Sequence, residues 1–439
     1  MQTKVRLKDK KFSKTADIML NLLIITAGAS IQTQLFSFRY IFMISAVIFI
    51  VFTVIMLISG SELTEVLRKK TALSAFAAFL FINVLVKQII SLNESGFSLS
   101  LLSGYGNIIY ITFGICLMSA YPDSKKIIFF VSYVISFTAI FMFTGLNTLY
   151  DKSHVCRTVG AFNNPNTFAL YAAVSFFASL ILLKSIKKPY RFVFIFTAAA
   201  GAAGMINSSC RAIVIGAVVS AAAAGVLYVF KKWRKIPKIS KESVIILSAV
   251  LILTAVLVQV YFPLRENAVI DYYKKRTSTS AGSEEPEIIS GIDRVLSSDG
   301  LALNASYKGN LRFAIWKGYT EKINDFFWFG CASASKETLY INSIKTEYAP
   351  HNMLVYVFYK FGAAGFALFC LILVNVCVVI FKTKNINRNF ILILICLGTL
   401  IFYGLLHDAV NKSIFWVVLP SFLFYQDSEN SQHTAELSV

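Results

Sequence analysis

Apolar runs of about twenty residues recur from one end of this chain to the other, and they decide what it can fold into. A helix needs roughly 20 mostly apolar residues to cross a hydrocarbon core of about 30 Å. Such runs lie near residues 17–35, 40–59, 71–90, 101–120, 127–146, 166–183, 191–207, 211–230, 243–262, 352–381, 390–407 and 412–425. Of the 439 residues, 56% are hydrophobic and only 15% charged, against about a quarter charged in an ordinary soluble domain. One water-soluble core could not hold that many apolar side chains. The sequence therefore predicts an all-α polytopic integral membrane protein with about 12 transmembrane helices. The seventh run is short and rich in Ala and Gly, and the twelfth is short with Pro420 near its end.

Charge fixes the direction of the spans. With the N-terminus inside, the inner segments 1–16, 60–70, 121–126, 184–191, 231–241, 382–389 and the tail carry 24 of the 42 Lys and Arg. The short outer segments carry five: Arg39, Lys152, Arg157, Arg211 and Lys412. That asymmetry follows the positive-inside rule and predicts a multi-pass protein of the bacterial cytoplasmic (inner) membrane with both termini cytoplasmic. It also accounts for most of the net charge of +19. Basic runs such as Lys231-Lys232-Trp233-Arg234-Lys235 abut spans on one side only, so they read as topology and headgroup contact rather than nucleic-acid binding. The N-terminal apolar run ends in Thr26-Ala27-Gly28-Ala29-Ser30 and reads as an uncleaved anchor.

One connection differs from the rest. Residues 263–350 form a single large extracytoplasmic excursion between the ninth and tenth runs, with eleven basic and eleven acidic residues. Its stretch Thr277 to Glu287 is turn-rich, whereas Leu311, Ile315, Tyr319 and Ile323 recur every four residues. That spacing predicts an amphipathic helix lying against the membrane surface. Residues 1–439 otherwise read as one membrane domain. There is no 20–50-residue repeat, no phosphate-binding Gly-rich loop of the nucleotide-binding kinds and no dinucleotide fingerprint.

Seven Cys form no CxxC pair, and no His/Cys/acid cluster has metal-ligand spacing, so the sequence implies no metal and no cofactor. Cys156 and Cys331 share the outer side; a disulfide between them is the speculative reading, two separate thiols the plainer one.

Polar detail gathers at the outer ends of the spans. The first cluster is Arg157-Thr-Val-Gly160-Ala-Phe162-Asn163-Asn164-Pro165-Asn166. Asn164 is placed to cap the sixth span with Pro165 at its first position, which leaves Arg157, Asn163 and Asn166 unexplained by capping. The second is Asn207-Ser208-Ser209-Cys210-Arg211, a tight hairpin between two helices rich in small residues. Such residues let membrane helices approach closely, and the two are expected to pack on each other. The third is Leu311-Arg312-Phe313-Ala314-Ile315-Trp316, followed by Gly330. The fourth is Pro350-His351-Asn352, with Gly362 and Gly365 beyond. His351 is expected in the first turn of its helix, where the positive end of the dipole favours neutral imidazole. Each cluster also has a plainer reading: a snorkelling Arg at a helix end, an Arg on lipid headgroups, an inert loop His. Taken together, forked arginine donors suit a diphosphate, and a neutral His within reach of a hydroxyl suits glycosyl transfer.

These motifs, in this order, resemble the O-antigen ligase and O-antigen polymerase superfamily over roughly residues 150–370. The elements that match are Arg157-x-x-Gly-x-Phe-x-Asn-Pro-Asn, Ser-x-Arg211, Arg312-x-x-x-Trp316 with Gly330, and His351-Asn with Gly362 and Gly365. Here Cys210 intervenes where the family has Arg directly after Ser. The resemblance implies metal-independent, inverting glycosyl transfer on the outer face, from a glycan carried on a polyprenyl (undecaprenyl) diphosphate. It implies His351, Arg211 and Arg312 as catalytic, and Arg157, Asn163, Asn166, Trp316 and Asn352 as substrate-binding. Membrane lipid, and other polysaccharide-assembly proteins such as a flippase and a chain-length regulator, would be partners; nucleic acid would not.

The motifs do not separate polymerase from ligase. Polymerisation of repeat units is preferred, because nothing in the sequence marks a dedicated lipid or protein acceptor. A glycolipid flippase or other transporter would carry polar features near the midplane, where only Lys87 and Lys360 lie within spans and both fall towards outer ends. A non-catalytic assembly partner would leave the Arg and His positions freely replaceable. His407-Asp408 also lies outside, with no role assigned.

Overall fold

The computed structural model describes residues 71–94, 111–112, 114, 164–183, 188–208, 210–232, 242–258, 311–331, 337–341, 344–383, 386–407 and 409–423. The runs at 17–35, 40–59 and 127–146, almost all of 101–120, and the residues Arg157, Asn163, Cys156 and Asp408 lie outside that set.

The apolar runs inside it are helices: α1 (Thr71–Glu94), α2 (Pro165–Leu182), α3 (Arg191–Asn207), α4 (Arg211–Lys232), α5 (Glu242–Val258), α7 (Met353–Lys382), α8 (Arg388–Leu406) and α9 (Ser413–Leu423). Between α5 and α7 lies α6 (Leu311–Glu321). Five of these helices are long and apolar enough to cross a membrane, namely those at Thr71–Asn93, Pro165–Leu182, Arg211–Lys231, Met353–Lys382 and Arg388–Leu406. Their outward faces are apolar too: Val226 is 70% exposed, Phe230 83% and Phe381 76%. In water such surface would drive association; in a bilayer it is the lipid-facing side. The protein is a helical membrane protein.

The excursion departs from the all-helical expectation. Strands β1 (Glu337–Ile341) and β2 (Ile344–Tyr348) pair antiparallel, with Glu337 opposite Tyr348 and Ile341 opposite Ile344. Ile344-Lys345-Thr346-Glu347-Tyr348 alternates, but over five residues only, and Glu337–Ile341 does not match it, so the helix periodicity earlier in the excursion dominates the reading.

Small residues set the helix pairs, though not between the expected partners. A side chain at Gly201 of α3 would lie 2.7 Å from the carbonyl oxygen of Ala172, and one at Gly204 would meet Phe168, both on α2. On α4, Gly216 faces Phe402 of α8, and Ser220 faces Gly398 of α8. So α3 packs on α2 and α4 on α8. The hairpin between them is tight, yet the small residues on its two helices serve different neighbours.

Side-chain ties between helix ends give the bundle two consistent ends. At one, Lys231 donates to the carbonyls of Ile380 (2.7 Å), Phe381 (3.1 Å) and Thr383 (2.9 Å), capping the last turn of α7. Arg388 donates to the Leu180 carbonyl at 2.9 Å, and Arg191 pairs with Glu242. At the other, the Asn352 amide donates to the Leu405 carbonyl at 2.9 Å. The core between is aromatic. Trp416 is fully buried, stacks on Phe76 at 5.8 Å, meets Phe369 and Phe415 edge-on, and donates its indole N–H to the Val410 carbonyl.

Candidate functional site

The sequence-selected residues in the described set converge on the end of the bundle where α7 starts. Asn164 has extended backbone and caps α2, its side chain accepting from the Asn166 N–H at 2.7 Å, with Pro165 first in the helix. Gly201 opposite Ala172 and Gly204 opposite Phe168 put Asn207 level with the start of α2. At Asn207–Arg211 the Ser208 hydroxyl donates to the Met205 carbonyl and accepts from the Cys210 N–H. Cys210 is buried, so its small side chain is what the turn folds under, and Arg211 is exposed as the first residue of α4. The pairings Gly216–Phe402 and Ser220–Gly398 carry Arg211 up to the level where α8 ends at Leu406.

His351 stands beside that point. It is not in the first turn of its helix: α7 begins at Met353, and Asn352 is the N-cap. The Asn352 side-chain oxygen accepts from Leu354 N–H (2.9 Å) and Val355 N–H (3.2 Å) while its amide reaches Leu405. This asparagine is occupied in fixing the helix start and tying it to α8. His351 precedes it in a left-handed conformation, φ 48°, a region that non-Gly residues seldom enter. Its ring meets His407 edge-to-face at 6.4 Å between centroids.

Helix α6 approaches from the excursion. Its periodicity is real but its buried face is turned to protein: Ile315 and Tyr319 are buried with Phe326 and Tyr359. Tyr319 and Phe326 each meet Tyr359 edge-on, at 4.9 and 5.1 Å. The helix ends at Glu321, and Ile323 opens a short 3-10 turn instead. Trp316 donates its indole N–H to the Pro350 carbonyl at 2.9 Å, which ties α6 to the residue just before His351. Arg312, one turn earlier, is half-buried.

Below His351 the helix is broken. Gly362 has φ 67°, ψ −171°, a region essentially confined to glycine. The Ala363 N–H, which an unbroken helix would give to the Tyr359 carbonyl, donates to Phe327 O at 2.6 Å, and Tyr359 O accepts from Cys331 N–H at 2.8 Å. Segment 327–331 thus replaces the missing helical hydrogen bond with two of its own. Irregular backbone at membrane depth persists only when protein satisfies it in this way. A helix rises about 1.5 Å per residue, so the roughly 20 residues from Gly362 to Lys382 cover a hydrocarbon core of about 30 Å. The break therefore falls at one edge of the core, and Met353–Phe361 projects beyond it.

Asn83 and Lys87 of α1, neither selected for the site from sequence, hold this crossing. Asn83 of α1 donates to Phe329 O at 2.9 Å; Lys87 donates to Phe329 O at 3.0 Å and to Gly330 O. Lys360 is buried at the break. The charge of Lys87 within an apolar run was the available signal; its partner carbonyls, and that of Asn83, are more than 240 residues away and left none.

Among the described residues no group of three or more His, Cys, Asp and Glu could hold a metal ion. Chemically, this end offers guanidinium groups on two converging elements and an imidazole carried on a left-handed backbone just before the α7 cap.

Residues 196–370 match a family model described as O-antigen ligase. The match covers Arg211, Arg312, Trp316, His351, Asn352 and both glycines of the crossing, and it supports an assignment to the O-antigen ligase and polymerase family. A comparison with curated proteins finds no match.

Proposed function

We propose that this protein polymerises cell-surface polysaccharide repeat units by metal-independent glycosyl transfer on the outer face of the bacterial cytoplasmic membrane. The donor is a glycan on a polyprenyl diphosphate; the acceptor is the terminal sugar of a second lipid-linked repeat. The observation that carries this reading is convergence. The start of α4 with Arg211, helix α6 with Arg312, and His351 meet at one bundle end, within the stretch that matches the O-antigen ligase model.

In the reaction the acceptor hydroxyl oxygen bonds to the anomeric carbon from the face opposite the diphosphate. The bond between that carbon and the diphosphate oxygen breaks, its electron pair leaving with the diphosphate. His351 takes the hydroxyl proton. Arg211 and Arg312 hold the diphosphate, and their forked donors suit its growing charge. Arg157, Asn163 and Asn166 complete the donor side. Trp316 and Asn352 serve substrate binding by holding Pro350–Asn352 in place. The basic residues at the opposite bundle end, Lys231 and Arg388 among them, support cytoplasmic termini by the positive-inside rule.

The test is direct. Purified protein in lipid is incubated with a polyprenyl-diphosphate-linked repeat unit, and products are resolved on a ladder gel. A ladder supports polymerase. Transfer only to an added lipid-core or protein acceptor replaces it with ligase. Lipid moved between leaflets with no product replaces both with a flippase.

A further inference from the structure

We propose that His407 is a positioning residue for His351: its ring fixes the orientation in which His351 accepts the acceptor proton. This rests on the glycosyl-transfer reading above.

His407 is the residue at which α8 ends, with extended backbone, φ −150° and ψ 177°. It lies 56 positions after His351 in sequence and outside the family match, yet the two rings meet at 89° and 6.4 Å. His407 is itself held from below. The Tyr403 ring, 2% exposed, stacks on it at 4.7 Å and 22°. The backbone around it is pinned as well. Leu405 O takes the Asn352 amide, and Gly404 leaves no room for a side chain between Met353 and Ala409. The result is a column that rises from the packed core: Tyr403, then His407, then His351.

Two features say the column serves His351. First, His351 holds a left-handed backbone, which costs a non-glycine residue about 1–2 kcal/mol and persists only where the surroundings impose it. Second, an imidazole turns about two side-chain torsions, and a base must keep one nitrogen on the reacting hydroxyl. Edge-to-face contact between aromatic rings is directional, so a ring at 407 selects among those rotamers. His407 takes no proton in this scheme; the proton goes from the acceptor hydroxyl to His351, and the leaving electron pair stays on the diphosphate.

The experiment compares wild type with His407→Ala and His407→Phe, purified as full chains in detergent. Two quantities are read: the rate of diethyl pyrocarbonate modification of the His351 peptide by mass spectrometry, and polymer formation from lipid-linked repeat units. In His407→Ala, His351 modification should rise at least threefold. Its kcat should fall roughly 10- to 100-fold, the usual scale for a misplaced catalytic group, with donor KM held. His407→Phe keeps a ring and should recover both to within about threefold of wild type. A His351 modification rate equal in wild type and His407→Ala overturns the proposal, as does a phenylalanine variant no better than alanine. If the alanine variant does not purify, His407→Leu is read the same way. Wild-type protein that forms no product overturns the glycosyl-transfer reading instead, and the modification rates still decide whether His407 orients His351.

Discussion

Gly330 and Gly362 lock into each other's backbone. Both have φ 67°; a side chain at Gly330 would fall on the peptide between Lys360 and Phe361, and one at Gly362 on the peptide between Trp328 and Phe329. Neither position tolerates alanine, for two independent reasons: a positive-φ backbone of this kind costs about 1–3 kcal/mol, and the opposing peptide has nowhere to move. Gly330→Ala and Gly362→Ala should each lower the melting temperature in detergent by several degrees or abolish monodisperse protein. Gly225→Ala is the control. Nothing lies within 4 Å of its added methyl, so its melting temperature should be unchanged or raised. Equal melting for all three variants would overturn the crossing.

Arg211→Ala, Arg312→Ala and His351→Ala should each reduce polymer formation by about 100-fold or more, the scale seen when a donor to developing charge or a general base is removed. Membrane insertion and melting should stay near wild type, because Arg211 is exposed and Arg312 half-buried. Full-length polymer from all three variants would remove the enzymatic reading.

Asn352 separates structure from chemistry. Asn352→Asp keeps the oxygen that caps Leu354 and Val355 but loses the N–H given to Leu405. Asn352→Ala loses both, and an N-cap alone is worth about 1 kcal/mol. Melting should therefore fall more for alanine than for aspartate. Activity should fall in both, since either change frees the segment beside His351. A fully active aspartate variant would show that the tie to Leu405 is dispensable.

Trp316→Phe removes one hydrogen bond, to Pro350 O, and keeps most of the ring contact with Phe313. A net loss of about 1 kcal/mol at the junction of α6 with His351 should appear as a several-fold rise in acceptor KM. Trp316→Ala should cost more. Unchanged kinetics in both would detach α6 from the site.

Much of this was legible in the sequence, and what was legible was local. Apolar runs, the Asn164–Pro165 cap and the four-residue spacing of α6 are written within single segments, and among the described residues the structure follows them within a few positions. Relations between segments were not. Gly201 and Gly216 announce close approach without saying to what, and the nearest helix in sequence was the wrong choice. Gly330 and Gly362 belonged to the quoted motifs, but their use is mutual, and no one-dimensional pattern records that a loop's carbonyls replace a helix's own. Likewise His407 carried no signal besides its type; only the pairing of α7 with α8 through Asn352 and Leu405 brings it to His351.

The break at Gly362 also says where this protein can be cut. The stub Met353–Phe361 shares a helix with the rest of α7 and has two faces: Val355, Phe358 and Tyr359 pack with α6 and the turn after it, while Met353, Tyr356, Val357 and Phe361 join the bundle core. A chimera that exchanges the excursion at its sequence boundary, Pro350, would split a packed unit and strand Trp316 from its acceptor. One that exchanges Leu311–Phe361 as a block, and joins it where the helical ladder is already interrupted, would keep Trp316 with Pro350, and would need a host that still offers Asn83, Lys87 and the Leu405 carbonyl to it.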